Sequence, residues 1–245
     1  MSYTALGAVY DRFTADVDYK SLAEYVSELL RRAGVGDGIL LDLACGTGTL
    51  SFELARLGYD VIGADGSEEM LMQAQSKLYS GEFSENPPQF ILQDMRSLDL
   101  FGTVRACVST QDSLNHITDE GELAEVLRRV SLFTEPGGAF VFDMNTKSKF
   151  EKMDGSAFVD EDSDALCLWR VAGKGDIYEY TVDVFERAKN VWRRNSEVFF
   201  ERHYPPERVT ELLHSAGFAE VEIFGERSFE RPKEDEDRIF FLARK

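Results

Sequence analysis

The chain has 245 residues, 43% of them hydrophobic, so it is long enough to bury the core of one α/β domain with an insertion. It carries 27 lysine and arginine residues against 45 aspartate and glutamate residues, a formal net charge of −18. Nucleic-acid binding needs clustered basic side chains, and a membrane span needs about 20 consecutive apolar residues. The sequence has neither, so we expect no nucleic acid and no membrane as partner.

The N-terminal segment and the cysteines indicate the compartment. The first residues, Met1–Leu6, lack the basic start and apolar core of a signal peptide, so we expect a cytoplasmic protein. Cys45, Cys107 and Cys167 are widely spaced and form no Cys-x-x-Cys pair. We therefore predict neither a disulfide framework nor a metal site. The excess of acidic side chains is typical of a solvated surface. As a separate expectation, the protein would be a monomer or a homodimer.

The first predicted element is a helix that begins at about Ser21. Leu22, Val26 and Leu29 recur at helical spacing, and the glycines between positions 34 and 38 end the helix. The segment that precedes this helix contains two tyrosines, Tyr10 and Tyr19.

A glycine turn follows directly. An apolar strand begins at Ile39 and ends abruptly in Gly46 and Gly48, and Thr49–Leu57 has helical spacing. Glycine lets the backbone turn sharply and lets a ligand approach the main chain, and the new helix offers free N–H groups at its start. A second apolar strand, Tyr59–Ala64, precedes an acidic residue. Such an order predicts a nucleotide-binding half of an open α/β sheet, with ligands outside the carboxyl ends of the strands.

The spacing within this turn separates two ligand classes. Dinucleotide-binding turns read Gly-x-Gly-x-x-Gly, and here Gly46 and Gly48 match but Ser51 takes the third place. This departure counts against a nicotinamide-dependent oxidoreductase, which stays the less favoured alternative. Asp65 follows Gly48 by 17 positions, near the roughly 20 expected of a carboxylate that binds ribose hydroxyls. The sequence therefore predicts an adenosine-containing ligand.

Three further strands should end at the same edge of the sheet. After the second strand, Ser67 caps a helix, and residues 80–88 form a polar loop. Gln89–Gln93 is the next strand, and it places Asp94 at the carboxyl edge of the sheet. Val104–Ser109 leads into a polar segment that contains Gln111, Asp112, Asn115 and His116. A proline-glycine turn at residues 136–138 precedes the fifth strand, residues 139–143.

The character of the chain changes between residues 150 and 204. Three stretches, Ala165–Ala172, Asp176–Phe185 and Val191–Phe200, alternate apolar with polar residues and are separated by tight turns. This pattern predicts an antiparallel β meander with one covered face. A helix that starts at Pro206 and two further strands then complete the chain.

Several of these segments resemble the motifs of a known family. Leu41–Gly48, Asp65 with Gly66–Leu71, and Gln93–Met95 look like the first three motifs of the class I S-adenosylmethionine-dependent methyltransferases. The segment from Leu132 to residue 143 resembles their post-motif segment. The resemblance extends from about Tyr10 to the C-terminus, and its nearest parallel is the bacterial small-molecule and protein-type branch.

The resemblance implies roles for particular residues. Asp42 would orient the turn and contact the amino-acid part of the cofactor, Asp65 would bind the ribose hydroxyls, and Asp94 would accept from the adenine amino group. A tyrosine of the N-terminal segment would reach the cofactor carboxylate, although packing onto the sheet is an equal alternative for either tyrosine. The expected cofactor-binding residues are Tyr10, Tyr19, Asp42, Ala44, Gly46, Gly48, Asp65, Gly66, Met70, Asp94, Met95 and Gln111.

The resemblance also implies a fold and a reaction. The fold would be a Rossmann-like, seven-stranded, mostly parallel sheet between helices, with an antiparallel last strand. Residues 1–149 and 205–245 would form the S-adenosylmethionine-binding core, and residues 150–204 an inserted acceptor-binding lid. The protein would transfer a methyl group to a small-molecule or peptidic acceptor by in-line attack, with S-adenosylhomocysteine as product. A non-catalytic S-adenosylmethionine-binding module is the main alternative.

The sequence does not assign a catalytic residue. Methyl transfer from a sulfonium mainly needs correct placement of the reactants, so a conspicuous triad is not required. If the acceptor must lose a proton, Asp112 and His116 are the nominees for a general base. For His116 we favour a packing role.

Overall fold

A computed structural model describes residues 10–14, 16–79 and 86–245 of the chain. Most of the predicted loop at residues 80–88, and the part of the N-terminal segment before Tyr10, lie outside these ranges. Within the described ranges, no helix is long and apolar enough to cross a membrane.

The chain alternates strands and helices before and after a run of consecutive strands. The helices are α1 (Tyr10–Phe13), α2 (Tyr19–Arg32), α3 (Thr49–Arg56), α4 (Glu68–Tyr79), α5 (Glu120–Phe133), α6 (Lys147–Met153) and α7 (Pro206–Ala216). The strands are β1 (Ile39–Leu43), β2 (Asp60–Asp65), β3 (Gln89–Leu92), β4 (Val104–Ser109), β5 (Thr134–Asn145), β6 (Ala157–Glu161), β7 (Ala165–Lys174), β8 (Ile177–Ala188), β9 (Val191–Arg202), β10 (Glu220–Gly225) and β11 (Arg238–Arg244). Short 3₁₀ helices span Met95–Ser97 and Ser113–His116.

Seven strands form one sheet in the order β10-β11-β5-β4-β1-β2-β3. Strands β1 to β5 pair in parallel, and β11 runs antiparallel to both β10 and β5. The predicted Rossmann-like sheet with an antiparallel last strand is therefore confirmed. Because β1, β2 and β4 are parallel neighbours, their carboxyl ends lie side by side at one edge of the sheet.

Helices cover both faces of this sheet, because neighbouring residues of a strand point to opposite faces. On one face, Leu40 belongs to a buried cluster with residues of α2 and α3. On the other face, Leu41 belongs to a cluster with residues of α5 and α7. Because both faces are covered, β1 is apolar except for Asp42 and does not alternate apolar with polar residues.

Strands β6 to β9 form a second, antiparallel sheet in the order β6-β7-β8-β9. Its buried face contains Cys167, Val182 and Phe199, and these residues pack against Phe150 of α6. The end of β9 is tied to the loop that follows β4: Asn115 Nδ2 donates to the Arg202 carbonyl at 2.8 Å. The second sheet therefore contacts the edge at which the carboxyl ends of the parallel strands meet.

Several element boundaries differ from the predictions. Helix α2 begins two residues earlier than Ser21, because the Asp18 carboxylate accepts from the Ser21 N–H and caps the helix. Strand β5 begins at Thr134, so the predicted turn at residues 136–138 is an irregularity within a strand, where the register against β4 shifts. Helix α6 and strand β6 were not predicted, and α6 crosses the predicted boundary between residues 149 and 150.

Candidate active site

The turn after β1 leaves room for a ligand at Gly46. Ala44, Gly46 and Gly48 all have positive φ, at 60°, 55° and 75°. A Cβ built on Gly46 would meet no described atom within 4 Å, so the backbone there faces open space. The chain thus exposes main-chain groups in front of the first turn of α3.

Asp65, at the end of β2, braces this turn. The Gly46 N–H donates to Asp65 Oδ2 at 2.8 Å, and the Ser67 N–H donates to Asp65 Oδ1 at 2.8 Å. Burial raises the pKa of the Asp65 carboxyl, and the backbone N–H bonds oppose this shift. Since a carboxylate offers about four lone-pair positions, Asp65 can still accept hydrogen bonds from a ligand.

Asp42 lies beneath the turn and is bonded to Ser51, the residue that replaces the third glycine of a dinucleotide-binding turn. The Ser51 hydroxyl donates to Asp42 Oδ2 at 2.5 Å, and both residues are buried. A glycine at position 51 would leave this carboxyl without that donor. Burial raises the pKa of the Asp42 carboxyl to about 7, although Ser51 opposes the shift.

We expect Asp42→Asn to remove part of the pH dependence of stability. The Asp42 pKa is higher in the folded chain than its ordinary 3.8, so the folded state holds a proton that the unfolded state releases between about pH 4 and 7. The protonated Asp42 carboxyl therefore favours the folded state most below pH 4, and this contribution to the free energy of unfolding is lost as the pH rises towards 7. One proton gives at most about 1.4 kcal/mol per pH unit. Urea unfolding at several pH values should give a shallower decline for the variant, and parallel curves would contradict the assignment.

A cavity of about 140 Å³ opens at the edge of the sheet beside the turn, and a smaller one of about 40 Å³ adjoins it. Nine of the twelve predicted cofactor-binding residues line the larger cavity: Tyr10, Ala44, Gly46, Asp65, Gly66, Met70, Asp94, Met95 and Gln111. Two more, Tyr19 and Asp42, line the smaller cavity. The structure thus brings together side chains from five separate segments of the chain.

Gly48 lines neither cavity. A Cβ at this position would lie 2.6 Å from Phe90 Cζ and 3.2 Å from Ala74 Cβ. The glycine is therefore needed for close packing of the α3 start against β3 and α4. This packing role is separate from the cofactor contact that the family resemblance implies for Gly48, which stays a prediction.

We expect Gly46→Ala and Gly48→Ala to have different effects. Both place a side chain in the left-handed region, at a cost of about 1–2 kcal/mol of folding free energy. Gly48→Ala should cost about 1–3 kcal/mol more, because its Cβ overlaps Phe90. Gly46→Ala should instead weaken ligand binding, because its Cβ enters the cavity. Urea unfolding and calorimetric titration of each variant with S-adenosylmethionine test this, and equal losses of stability would contradict it.

Asp94 combines a position at the cavity with a structural role. It lines the larger cavity, its carboxylate caps the 3₁₀ helix through the Arg96 N–H at 2.9 Å, and it forms an ion pair with the Arg96 guanidinium at 2.5 Å. The Arg96 side chain is the main reason that the pKa of Asp94 is low. Asp94 is therefore held in its ionised form at the cavity.

Helix α1 connects the cavity to two distant parts of the chain. Asp11 accepts from the Thr47 hydroxyl at 2.5 Å and forms an ion pair with Lys77 at 2.6 Å. Arg12 forms an ion pair with Asp162, between β6 and β7, at 2.5 Å. These contacts place Tyr10 against both cavities.

The loop after β4 has a strained backbone that buried charges hold in place. Gln111 and Asp112 are consecutive non-glycine residues with positive φ, at 56° and 53°. Both N–H groups donate to the carboxylate of Asp143, at 2.9 and 2.6 Å. The Arg238 guanidinium donates to Asp143 at 2.6 Å and to Asp112 at 2.5 Å. Burial opposes ionisation of Asp112, but the nearby positive charges, Arg238 first among them, together outweigh it and lower the pKa of that carboxyl.

Beyond this loop, three titratable side chains lie together under the second sheet. Atoms of Asp112, His116 and Glu201 that could bind a ligand all lie within 4.8 Å of one another. His116 also lines the larger cavity and packs against Phe199, with ring centroids 5.2 Å apart. Burial lowers the pKa of His116 and, with the Asp112 charge, raises the pKa of Glu201 well above its usual range. We refer to Asp112, His116 and Glu201 as the acidic cluster.

Sequence reasoning missed Asp143, Glu201 and Arg238, and it noted Ser51 only as a departure from the glycine pattern. Asp143 could have been found, because it follows an apolar strand at the same edge as Asp65 and Asp94. The other residues give no comparable signal. Arg238 is separated from Asp112 by 126 positions, and only the pairing of β11 with β5 brings it to the site.

Comparison with known proteins identifies the family. A methyltransferase domain family matches residues 40–138. A Bacillus subtilis protein named as a methyltransferase, YqeM, is 31% identical over 249 residues, an alignment that covers 100% of this chain and 98% of that protein. The chain belongs to the class I S-adenosylmethionine-dependent methyltransferases. A glycine/sarcosine N-methyltransferase of Halorhodospira halochloris is 27% identical to this methyltransferase. The alignment covers 95% of the present chain and 84% of the Halorhodospira protein.

A solved structure supports the same family. An S-adenosylmethionine-dependent methyltransferase of Clostridium acetobutylicum superposes on the present methyltransferase with a TM-score of 0.86 and 27% identity, covering 99% of this chain and 98% of that one. S-adenosylmethionine is the methyl donor of the family. The cavity of this methyltransferase suits such a molecule, since it offers open backbone at Gly46, carboxylates at Asp65 and Asp94, and apolar surface at Met70 and Met95.

Proposed function

We propose that the larger cavity binds the adenosyl part of S-adenosylmethionine and that the smaller one binds its amino-acid part. The observation that carries this proposal is the meeting of Gly46, Asp65 and Asp94 around one cavity at the carboxyl edge of the sheet. Asp65 would accept from the ribose hydroxyls, and Tyr19 with Asp42 would face the amino acid. Bound there, the cofactor supplies a sulfonium methyl group to a nucleophile of the acceptor.

We further propose that the acceptor is a small molecule or a peptide and that residues 150–204 form a lid over it. The contacts of β9 with the loop after β4 support this, because they bring Glu201 of the insertion beside Asp112 and His116 of the core. The name of the Halorhodospira relative gives glycine and sarcosine as its acceptors, which supports a small acceptor.

His116 is better suited than Asp112 to take a proton from the acceptor. Asp112 is paired with Arg238, which keeps its pKa low and makes it a weak base. Burial lowers the pKa of His116, so the imidazole is neutral at pH 7 and can accept a proton. This proposal replaces the packing role favoured from the sequence.

The test has three parts. Calorimetric titration should show binding of S-adenosylmethionine, and incubation with pools of metabolites and peptides should release S-adenosylhomocysteine. Binding without release in every pool would favour the non-catalytic module. A fluorescence titration with NADH tests the nicotinamide alternative, and tight binding of NADH in preference to S-adenosylmethionine would overturn the proposal.

A further inference from the structure

We propose that the acidic cluster is a subsite for a positively charged amino group, so that the methyl acceptor is an amine that binds as its ammonium ion. This inference rests on the proposed function, and it adds the chemical class of the acceptor and the residues that recognise it. Glu201 is the residue to which the ammonium group would bind. It is buried, and it lies on β9 of the second sheet.

The cluster offers hydrogen-bond acceptors to a ligand that carries donors. Ionised carboxylates only accept hydrogen bonds, and a neutral imidazole has one accepting nitrogen. An ammonium group carries up to three N–H donors, each about 2.8 Å from its acceptor. Two acceptors at a tetrahedral angle around one such nitrogen are about 4.6 Å apart, by the same bond length. The spacing of the cluster, within 4.8 Å, fits this arrangement.

The charges of the surrounding residues also favour a cation. Three mostly buried carboxyl groups, those of Asp112, Asp143 and Glu201, lie near the Arg238 guanidinium, and the charge of Lys149 also acts on Asp112 and Glu201. Arg238 donates to Asp143 and Asp112, whereas the contacts of Glu201 are with neutral groups, the amide of Asn145 and the hydroxyl of Tyr180. An ammonium ion beside Glu201 would place a positive charge in direct contact with this carboxyl and allow it to ionise.

Asn145 provides an independent indication of a ligand. The residue is only 6% exposed, and its Nδ2 donates to Glu201 Oε2 at 3.4 Å. Its Oδ1 has no hydrogen-bond partner among the described residues. A buried amide oxygen without a donor is costly, at about 1–3 kcal/mol, and is rare in folded proteins. An N–H donor of a ligand beside Glu201 would remove this cost.

An ammonium ion fits the cluster better than a divalent metal ion does. Asp112 Oδ1 already accepts from the Arg238 guanidinium at 2.5 Å. A metal ion bound to the same carboxylate would therefore lie close to the positive charge of Arg238, which would repel it. A singly charged group meets half that repulsion. The cluster therefore favours the organic cation.

The same arrangement accounts for the proton that the acceptor must lose. A primary ammonium ion has no free electron pair, so one N–H bond must break before the nitrogen can act as a nucleophile. The proton passes to the accepting nitrogen of His116, the bond pair remains on the amine nitrogen, and the imidazole becomes an imidazolium. Asp112 stabilises that positive charge, and the proton then leaves to solvent.

The experiment uses the full chain loaded with S-adenosylhomocysteine and three pairs of probes: methylamine with methanol, ethanolamine with ethylene glycol, and benzylamine with benzyl alcohol. Saturation-transfer NMR should detect at least one amine, and its alcohol partner should bind at least about tenfold more weakly, the usual effect of one charge-assisted hydrogen bond. Glu201→Gln should weaken amine binding by a similar factor. Gln has the shape of the neutral carboxyl, so the variant should remain folded.

Glu179→Gln, on the exposed face of β8, is the matched control and should bind the amine as the wild type does. The inference is overturned if no amine binds, if the alcohols bind equally well, if Glu201→Gln has no effect, or if amine binding requires a divalent ion removable by EDTA. Calorimetry with S-adenosylhomocysteine is run on the same samples. Failure to bind this molecule refutes the proposed function, whereas failure of the amine arm alone refutes only the subsite.

Discussion

Replacement of Arg238 by leucine should lower the free energy of unfolding by about 3–5 kcal/mol at neutral pH, because it leaves the carboxylates of Asp112 and Asp143 together without their shared guanidinium. Asp143 is completely buried, so water cannot replace the lost partner. The same change should release the loop at Gln111, whose N–H donates to Asp143. Urea unfolding measures the first effect, and the rate of S-adenosylhomocysteine formation measures the second.

The matched control is Arg244→Leu, at the other end of the same strand. Arg244 forms ion pairs with Glu220 and Glu222, whose side chains are about half exposed or more, so its loss should cost at most about 1 kcal/mol. The Arg238→Leu deficit should also shrink towards pH 5. Without the guanidinium, the pKa values of the two buried carboxyls exceed those of the unfolded chain, and stability is lost as the pH rises through them. Equal costs for the two variants, or a deficit independent of pH, would contradict this account.

Replacement of Asp65 by alanine should weaken binding of S-adenosylmethionine by at least about tenfold. Hydrogen bonds to a charged acceptor contribute about 1.5–3 kcal/mol each, and the ribose hydroxyls of the cofactor would lose theirs. The structure adds a second cause: the variant also removes the acceptor for the N–H groups of Gly46 and Ser67, so the turn itself loses its brace. Calorimetric titration gives the dissociation constant, and urea unfolding reports how much of the effect comes from the turn.

Asp60→Ala is the control for Asp65→Ala. Asp60 is the first residue of the same strand, at the opposite edge of the sheet, and it is exposed. Its removal should change the dissociation constant by less than about twofold, because surface substitutions away from a site rarely exceed about 0.5 kcal/mol. An Asp65→Ala protein that binds S-adenosylmethionine as tightly as the wild type would refute the assignment of Asp65.

The parallel sheet could be predicted because its strands are short apolar runs bounded by turn residues. Ile39–Leu43 and the glycine turn are local signals, and the acids at the ends of β2 and β3 follow from strand ends alone. The meander was predicted for the same reason, since alternation is visible within each strand. The less regular α6 and β6, which are short, gave no such signal, and the irregular start of β5 resembled a turn because of Pro136 and its glycines.

The side chains that hold the loop after β4, and the carboxyl of Glu201 beside it, could not be predicted in this way. Arg238, Asp143 and Asp112 lie in three segments that meet only through the antiparallel pairing of β11. Glu201 lies on a strand whose pattern shows which residues face inward but does not show what they face. Gly48 illustrates a different limit: the motif marks this glycine, but the motif alone does not show that a Cβ there would overlap Phe90.

The bonds that hold Gln111 and Asp112 have a consequence for how binding would be driven. The left-handed backbone of this loop is fixed by Asp143 and Arg238, groups of the protein itself. The loop therefore has its shape before any small molecule arrives, and the entropy of ordering it is lost during folding. Because the loop is preorganised, binding should cost little conformational entropy there. The backbone of the loop should also move little when the reactants bind.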